Sequence, residues 1–372
     1  MGIGCLGAGG VEARVAAWLL LYRLDYQLPA NAHGDSPAER ELQPMRLWVK
    51  SWIWVLLMAA PVAGWAASCT TQAELQPQDR SALAATGQRL LTAILQQDYS
   101  TLQAQLLPSI ASEWAGIRGE VEAGAPLVKN GQPELQAIYL LDASSQSATA
   151  DTQLFCSNQS GSLTVTINMH ALPPGKYAVI LGDAMGAPLG GQFGVVLVWD
   201  STGATPGWKV GGVSVRQGII DGHDGVWYWT RARAEAASNS PWSAYYSYEL
   251  ARYLLLPVDF ISSPNMEKLN REQAEIPGAP GLFPISIEDG PRTWKIDGIR
   301  MDPSLRQPDL GVTYESLGIT DPAAARTEAV AVLSAVLKAH PEFRQNFHGL
   351  WAYASRDGKV APVIELPMAQ IP

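Results

Sequence analysis

Two carboxylates and an imidazole stand close together at Asp221-Gly-His223-Asp224-Gly225. Asp and His in one short segment can hold a divalent metal or poise a general base. The same residue types also spell a turn followed by a helix cap. Asp and Gly dominate turns, and an Asp placed before a helical run accepts hydrogen bonds from the unpaired N–H groups of its first turn. The cap accounts for every residue of the segment except His223. A metal site would need further ligands from elsewhere, and no Cys or other His lies nearby in sequence. The expected reading is a cap with no metal and no cofactor.

The remaining chemistry-bearing residues are scattered. His170 ends an alternating segment on its polar side. His340 and His348 flank the last long helix, where an imidazole in the final turn suits the helix dipole. Tyr99, Tyr139, Asp142 and Asp183 are polar groups that a pocket could use, although strand-end turns also explain Asp142 and Asp183. Trp227, Tyr228, Trp229, Trp242, Tyr245, Tyr246 and Tyr248 concentrate aromatic surface. Such a surface can bind a sugar, a peptide or another ligand. Helical spacing argues instead that these rings pack between neighbouring units. The candidate ligand-binding set is therefore Tyr139, Asp142, His170, His223, Asp224 and Trp229, and no catalytic residue is assigned. GxSxG, P-loop, HExxH and CxxC patterns do not occur.

The chain has 372 residues, 16% of them charged, with a formal net charge of -9. A nucleic-acid partner would want a basic face, which this balance does not supply. The expected partners are a small molecule or an envelope protein. Membrane contact is expected only through an export segment or a lipid anchor.

That segment is Met45–Ser68. A short basic start (Met45, Arg46, Lys50) precedes an uncharged apolar stretch from Ser51 to Val62, then small residues up to Ser68. This is the order of a secretory signal. The apolar stretch falls short of the roughly 20 residues that span a bilayer. Residues 1–44 show no sustained period and are expected to be a start-site artefact or disordered. Export would leave Cys69 and Cys156. Pairing them fits an oxidising compartment, whereas lipidation of Cys69 at a weak Ala66–Cys69 lipobox would strand a single thiol. The expected location is periplasmic or secreted, with membrane anchoring as the alternative.

The elements that would position these groups form an α+β chain. Residues 78–126 carry helical spacing, with Leu83, Leu90, Leu91, Ile94 and Leu95 on one face and Ser100 as the cap of a second helix. From Glu134 the period becomes two. Strands are expected at Glu134–Asp142, Thr152–Asn158, Ser162–His170, Tyr177–Leu181, Gly194–Asp200 and Trp208–Val215, in one antiparallel sheet of five or six strands. A helical hairpin follows at 221–275, with Trp227, Trp229, Ala232 and Ala236 on one face, like a degenerate tetratricopeptide pair. A Pro/Gly-rich linker at 276–284 leads to a ββαββ unit at 285–372. Its helix is marked by Asp321-Pro322 and its last hairpin by Arg356-Asp-Gly358.

Leu90–Gln97, the break at Asp98-Tyr99, the short helix Leu102–Leu107 ending at Pro108, and the strand Gly207-Trp-Lys-Val210 give residues 69–220 a resemblance. They resemble the ketosteroid-isomerase-like cone fold shared with nuclear transport factor two. The resemblance implies a curved sheet wrapped on helices around a pocket, and many such domains are not enzymes. The 70–372 layout also resembles exported proteins of acidobacteria-like genomes, through Gly222–Trp229, Pro257–Pro264 and Glu365–Pro372. No activity attaches to that resemblance. The expected function is a non-catalytic exported binding or scaffolding protein of the envelope. The alternatives are a small-molecule isomerase, dehydratase or hydrolase using the cone pocket, and a lipid-anchored assembly protein.

Overall fold

Strands with a long unbroken apolar run need cover on both faces, and two central strands of this chain are of that kind. The computed structural model describes residues 67–372 apart from 159, 162–163, 203–205, 282, 303–306 and 319–320. Residues 1–44 and most of the 45–68 export segment lie outside the described residues. The first part runs β1 (Ser68–Thr71), α1 (Pro77–Gln96), α2 (Tyr99–Ala104), a 3-10 turn, α3 (Trp114–Val128), β2 (Gln132–Asp142), β3 (Ala150–Ser157), β4 (Thr164–Leu172), β5 (Lys176–Met185), β6 (Gln192–Asp200) and β7 (Gly207–Arg216).

The strands expected in one sheet divide between two. Five form an antiparallel sheet in the order β1-β2-β5-β6-β7, while β3 and β4 belong to a separate three-stranded sheet. The reason lies in β5 and β6. Tyr177, Ala178, Val179 and Ile180 are all buried, as are Val195, Val196 and Leu197. Helices cover one face, where Leu83, Leu90, Leu91, Ile94 and Val121 meet Ile138, Ile180, Val195 and Leu197. The β3–β4 hairpin covers the other, where Leu154, Cys156, Ile167 and Met169 meet Tyr139, Leu141 and Val179. Cys69 on β1 is disulfide-bonded to Cys156 on β3, with Cα atoms 5.1 Å apart. The cap of α2 is Asp98 and not Ser100. Its carboxylate accepts from the Thr101 N–H at 3.1 Å and from both neighbouring hydroxyls. The Thr101 and Ser100 bonds hold it at a pKa of about 2.

The next stretch is β8 (Ile219–Ile220), β9 (His223–Asp224), α4 (Gly225–Ala237), α5 (Pro241–Leu255), β10 (Ile261–Ser262) and α6 (Pro264–Ala274). In α4 the buried ridge is Gly225, Tyr228, Ala232 and Glu235. Trp227 turns outward at 38% exposure instead of sharing the inner face. Residues three and four apart share a ridge, and Tyr228 holds that place once Ala232 is inside. The last stretch is β11 (Ile285–Asp289), β12 (Arg292–Met301), β13 (Leu310–Glu315), α7 (Pro322–Ala339), α8 (Phe343–Asn346), β14 (Gly349–Arg356) and β15 (Lys359–Pro367). Its sheet has the order β11-β12-β13-β14-β15, with β13 and β14 parallel and the other pairs antiparallel. Asp321 caps α7 through the Ala324 N–H at 2.8 Å, ahead of Pro322. Asp357 and Gly358 both have positive φ, the requirement of a tight two-residue hairpin turn. Tyr228, Tyr246 and Leu250 of α4 and α5 share one core with Ile296, Val332 and Leu350. The aromatic hairpin thus packs against the C-terminal sheet and helix. The described fold is mixed α+β, with no sheet closed into a barrel among the described residues.

Candidate functional site

The Asp221–Gly225 segment is a two-strand ribbon ending in a cap. Asp221 and Gly222 both have positive φ between β8 and β9. The Asp224 carboxylate accepts from the Trp227 N–H at 2.8 Å, with the extended backbone of an N-cap. His223 lies flat on the Trp227 ring, centroids 3.7 Å apart and planes 8° apart. Asp224→Ala should lower stability by about 1 kcal/mol, the usual loss of a cap. Urea denaturation with and without a chelator checks this. A chelator effect on wild type that the variant lacks would reassign the segment as a metal site.

The other sequence candidates are placed far from one another in role. Tyr139 is buried between the two N-terminal sheets, and burial raises its phenol. Asp142 ends β2, where burial would raise its carboxyl but bonds from Ser144 and the nearby Lys176 leave it lowered. His170 pairs with Asp151 at 2.5 Å on the surface. Trp229 donates to Glu272 at 2.7 Å. Glu272 also takes both arms of Arg233 and the Tyr248 hydroxyl, and is pulled down to about 2, chiefly by Arg233. This clasp ties α4, α5 and α6 together. No hydrogen bond joins Tyr139, Asp142, His170, Asp224 and Trp229 to one another among the described residues.

His340 does not act through the helix dipole. Its ring lies 3.8 Å from Trp242 and 5.3 Å from Phe343 between ring centres. Burial lowers its pKa to about 4, so it is neutral near pH 7.

Between α1–α3 and the five-stranded sheet lies an apolar core. Leu102, Ile110, Phe193, Val210 and Val215 complete it. Asp183 sits across from Glu134 on β5 and β2; burial first, and then that like charge, raise its carboxyl. An open cleft of ≈ 810 Å³ lies at the ends of α1 and α3, lined by Leu95, Gln97, Glu122, Pro126, Lys129 and Leu189.

Polar and aromatic groups converge instead on the C-terminal sheet. Along β14, Leu350 and Ala352 are fully buried against the helices, whereas Trp351 and Tyr353 are partly exposed on the opposite face. Their rings lie 6.4 Å apart with planes 21° apart. Trp351 Nε1 donates to Asp309 Oδ2 at 3.4 Å, and the Tyr353 hydroxyl donates to Asp302 Oδ2 at 2.9 Å. His348 Nδ1 is 3.1 Å from Asp309 Oδ1; 44% of the imidazole side chain is exposed against 2% of the carboxylate's. The Arg300 guanidinium sits 4.9 Å above the Tyr353 ring. Of these groups sequence reasoning named only His348. The alternation Leu350-Trp351-Ala352-Tyr353 was the available signal.

Between this sheet and the N-terminal unit, Arg216 grips Asp259 with two bonds of 2.7 and 2.5 Å and lies 5.4 Å over Tyr253. On the same helix as Tyr253, Glu249 has 19% of its side chain exposed. Burial raises it to about 6, against the opposing pull of Arg252 and of bonds from the Met301 N–H and Tyr245. A carboxyl raised in the folded state destabilises as pH climbs through that value. Glu249→Gln should therefore stabilise the protein at pH 7 by up to about 2 kcal/mol, with the gain vanishing below pH ~4.5. Urea midpoints at pH 4.5 and 7.5 check this; an equal effect at both would exclude ionisation as its cause.

Among the described residues no three His, Cys, Asp or Glu side chains are grouped to hold a metal ion, and no helix is long and apolar enough to cross a membrane. No protein-family model matches the chain, and neither a curated protein nor a solved structure matches it.

Proposed function

We propose that the protein is a non-catalytic exported binding or scaffolding protein of the bacterial envelope. It would be built as a cone-like α+β unit, a helical hairpin and a small C-terminal unit of ββαββ type preceded by a further strand. The apolar, fully buried side chains beneath α1–α3 support this reading. Where the cone fold keeps its pocket, Leu90, Ile138, Phe193 and Val195 pack together at full burial. Tyr139 sits on the reverse face, and Asp142 ends its strand under bonds from Ser144. Export is supported by the Cys69–Cys156 bond, which belongs to an oxidising compartment. A sulfur in a disulfide is not available for a lipid thioether, which favours an unlipidated product. The test is expression of the full chain in a Gram-negative host, fractionation, and intact mass of the exported form. A mature start between Ala67 and Cys69 with the disulfide intact is expected. Cytoplasmic retention, or a diacylglyceryl mass on Cys69, would refute the proposal.

A further inference from the structure

We infer that the open face of the C-terminal sheet is a saccharide-binding site with the Trp351 indole as its floor. The inference deepens the reading of the chain as a binding protein and rests on it. Period-two alternation puts Trp351, Tyr353 and Ser355 on the face opposite α7. The strand alongside places Gly311 opposite Trp351. A Cβ at Gly311 would lie 3.0 Å from Tyr353 Cε2, so the tyrosine ring lies directly against the β13 backbone. Both rings are tethered at their polar edges, Trp351 by Asp309 and Tyr353 by Asp302. They are thus held in place before any ligand arrives, which lowers the entropic cost of binding.

Shielding the Gly311 backbone explains Tyr353 alone. It does not explain why a tryptophan is tied down beside it, or why a nearly sealed carboxylate orients a half-exposed imidazole. With Asp309 on Nδ1 and 44% of the imidazole side chain exposed, Nε2 is the ring nitrogen that remains to meet a ligand. Arg300, exposed at the rim, adds a planar fork of donors. The ensemble is one apolar ring face fringed by groups that bond hydroxyls. A pyranose presents the complement, an apolar C–H face and a rim of hydroxyl donors and acceptors. The charges select against other ligands. Asp302 and Asp309 outnumber Arg300, so a phosphate or a nucleic acid gains no net positive field here. The ligand class is a neutral oligosaccharide.

The test uses the mature disulfide-bonded chain and three neutral probes: cellohexaose, chitohexaose and maltohexaose. Titration is followed by tryptophan fluorescence and by 15N-detected NMR. At least one probe should shift the Trp351 indole N–H and the Gly311 amide. Trp351→Ala should weaken binding about tenfold or more, as loss of a central aromatic contact does. Trp227→Ala, which alters an exposed ring elsewhere, should leave binding unchanged. If Trp351→Ala fails to fold, the wild-type shift map decides alone. Absence of any shift at about 10 mM probe, an affinity too weak to be specific, overturns the inference. So do shifts confined to other surfaces. If an envelope protein binds wild type but not Trp351→Ala while no probe shifts the spectrum, the saccharide assignment fails and the binding reading stands. If chitohexaose binds at Trp351 and is shortened on incubation, the saccharide site stands and the non-catalytic reading fails.

Discussion

Breaking the Cys69–Cys156 bond should remove about 4–5 kcal/mol of stability. The two residues are 87 apart in sequence, and closing so long a loop restricts the unfolded chain strongly. The bond also has local leverage. Cys156 is fully buried among Leu154, Ile167 and Val179, and it anchors β1, a strand of four residues, to the β3 hairpin. A loss of that size approaches the whole stability of an ordinary domain, about 5–15 kcal/mol. Urea titration with and without reductant measures it, beside the Cys69→Ala/Cys156→Ala double variant. Reductant should move the wild-type midpoint sharply and leave the variant unmoved. A reductant effect under about 1 kcal/mol would mean that strand packing, and not the cross-link, holds β1 in place.

The second large effect is acid sensitivity set by His340. Its folded pKa of about 4 lies below the ordinary imidazole value of 6.5, because burial against Trp242 and Phe343 disfavours the charged ring. A depressed group contributes stability that is present above its unfolded pKa and lost as pH falls toward its folded pKa. The window is therefore pH 6.5 down to about 4, and the full loss is about 3 kcal/mol. Glu249 works the other way, gaining stability as pH falls below about 6. The two trends offset each other in the wild type, so single variants are needed to see either. His340→Phe keeps a ring in the stack without a titrating nitrogen. It should leave a protein that gains stability on mild acidification, whereas Glu249→Gln should leave one that loses it steeply. Parallel wild-type and His340→Phe profiles between pH 6.5 and 4 would show that His340 is protonated without penalty.

Local signals carried the C-terminal helix and its last hairpin well. Asp321-Pro322 is a cap and a first-turn proline, and Asp357-Gly358 is a turn that needs two positive φ values; both are properties of a few adjacent residues. The division of the N-terminal strands into two sheets was also written in the chain, in the unbroken apolar runs of β5 and β6, but alternation elsewhere concealed it. β1 and β10, with four and two residues, are too short to show a period. The site was harder to see. Asp309 meets His348 only because β13 and β14 pair in parallel across 39 residues of sequence. Along β14 size misleads as well: small Ala352 is buried and large Trp351 faces outward, so hydrophobicity alone points to the wrong face.

The last strand of the outer N-terminal sheet comes from far downstream. Ile261 and Ser262 pair with Ile167 and Thr166, and Asn168 donates to the Phe260 carbonyl at 2.8 Å. Gln192 reaches the Leu254 carbonyl, and Val258 lies where a Cβ on Gly194 would come within 2.3 Å. During synthesis, then, β4 waits with an open edge until nearly a hundred further residues have been made. An unpaired edge is a template for wrong partners, including another copy of the same chain. Strand, helical hairpin and returning strand must be present together before that edge closes. The chain therefore cannot finish its first unit and move on to the next; it completes both late, and any fragment that stops short of Ser262 carries the exposed edge with it.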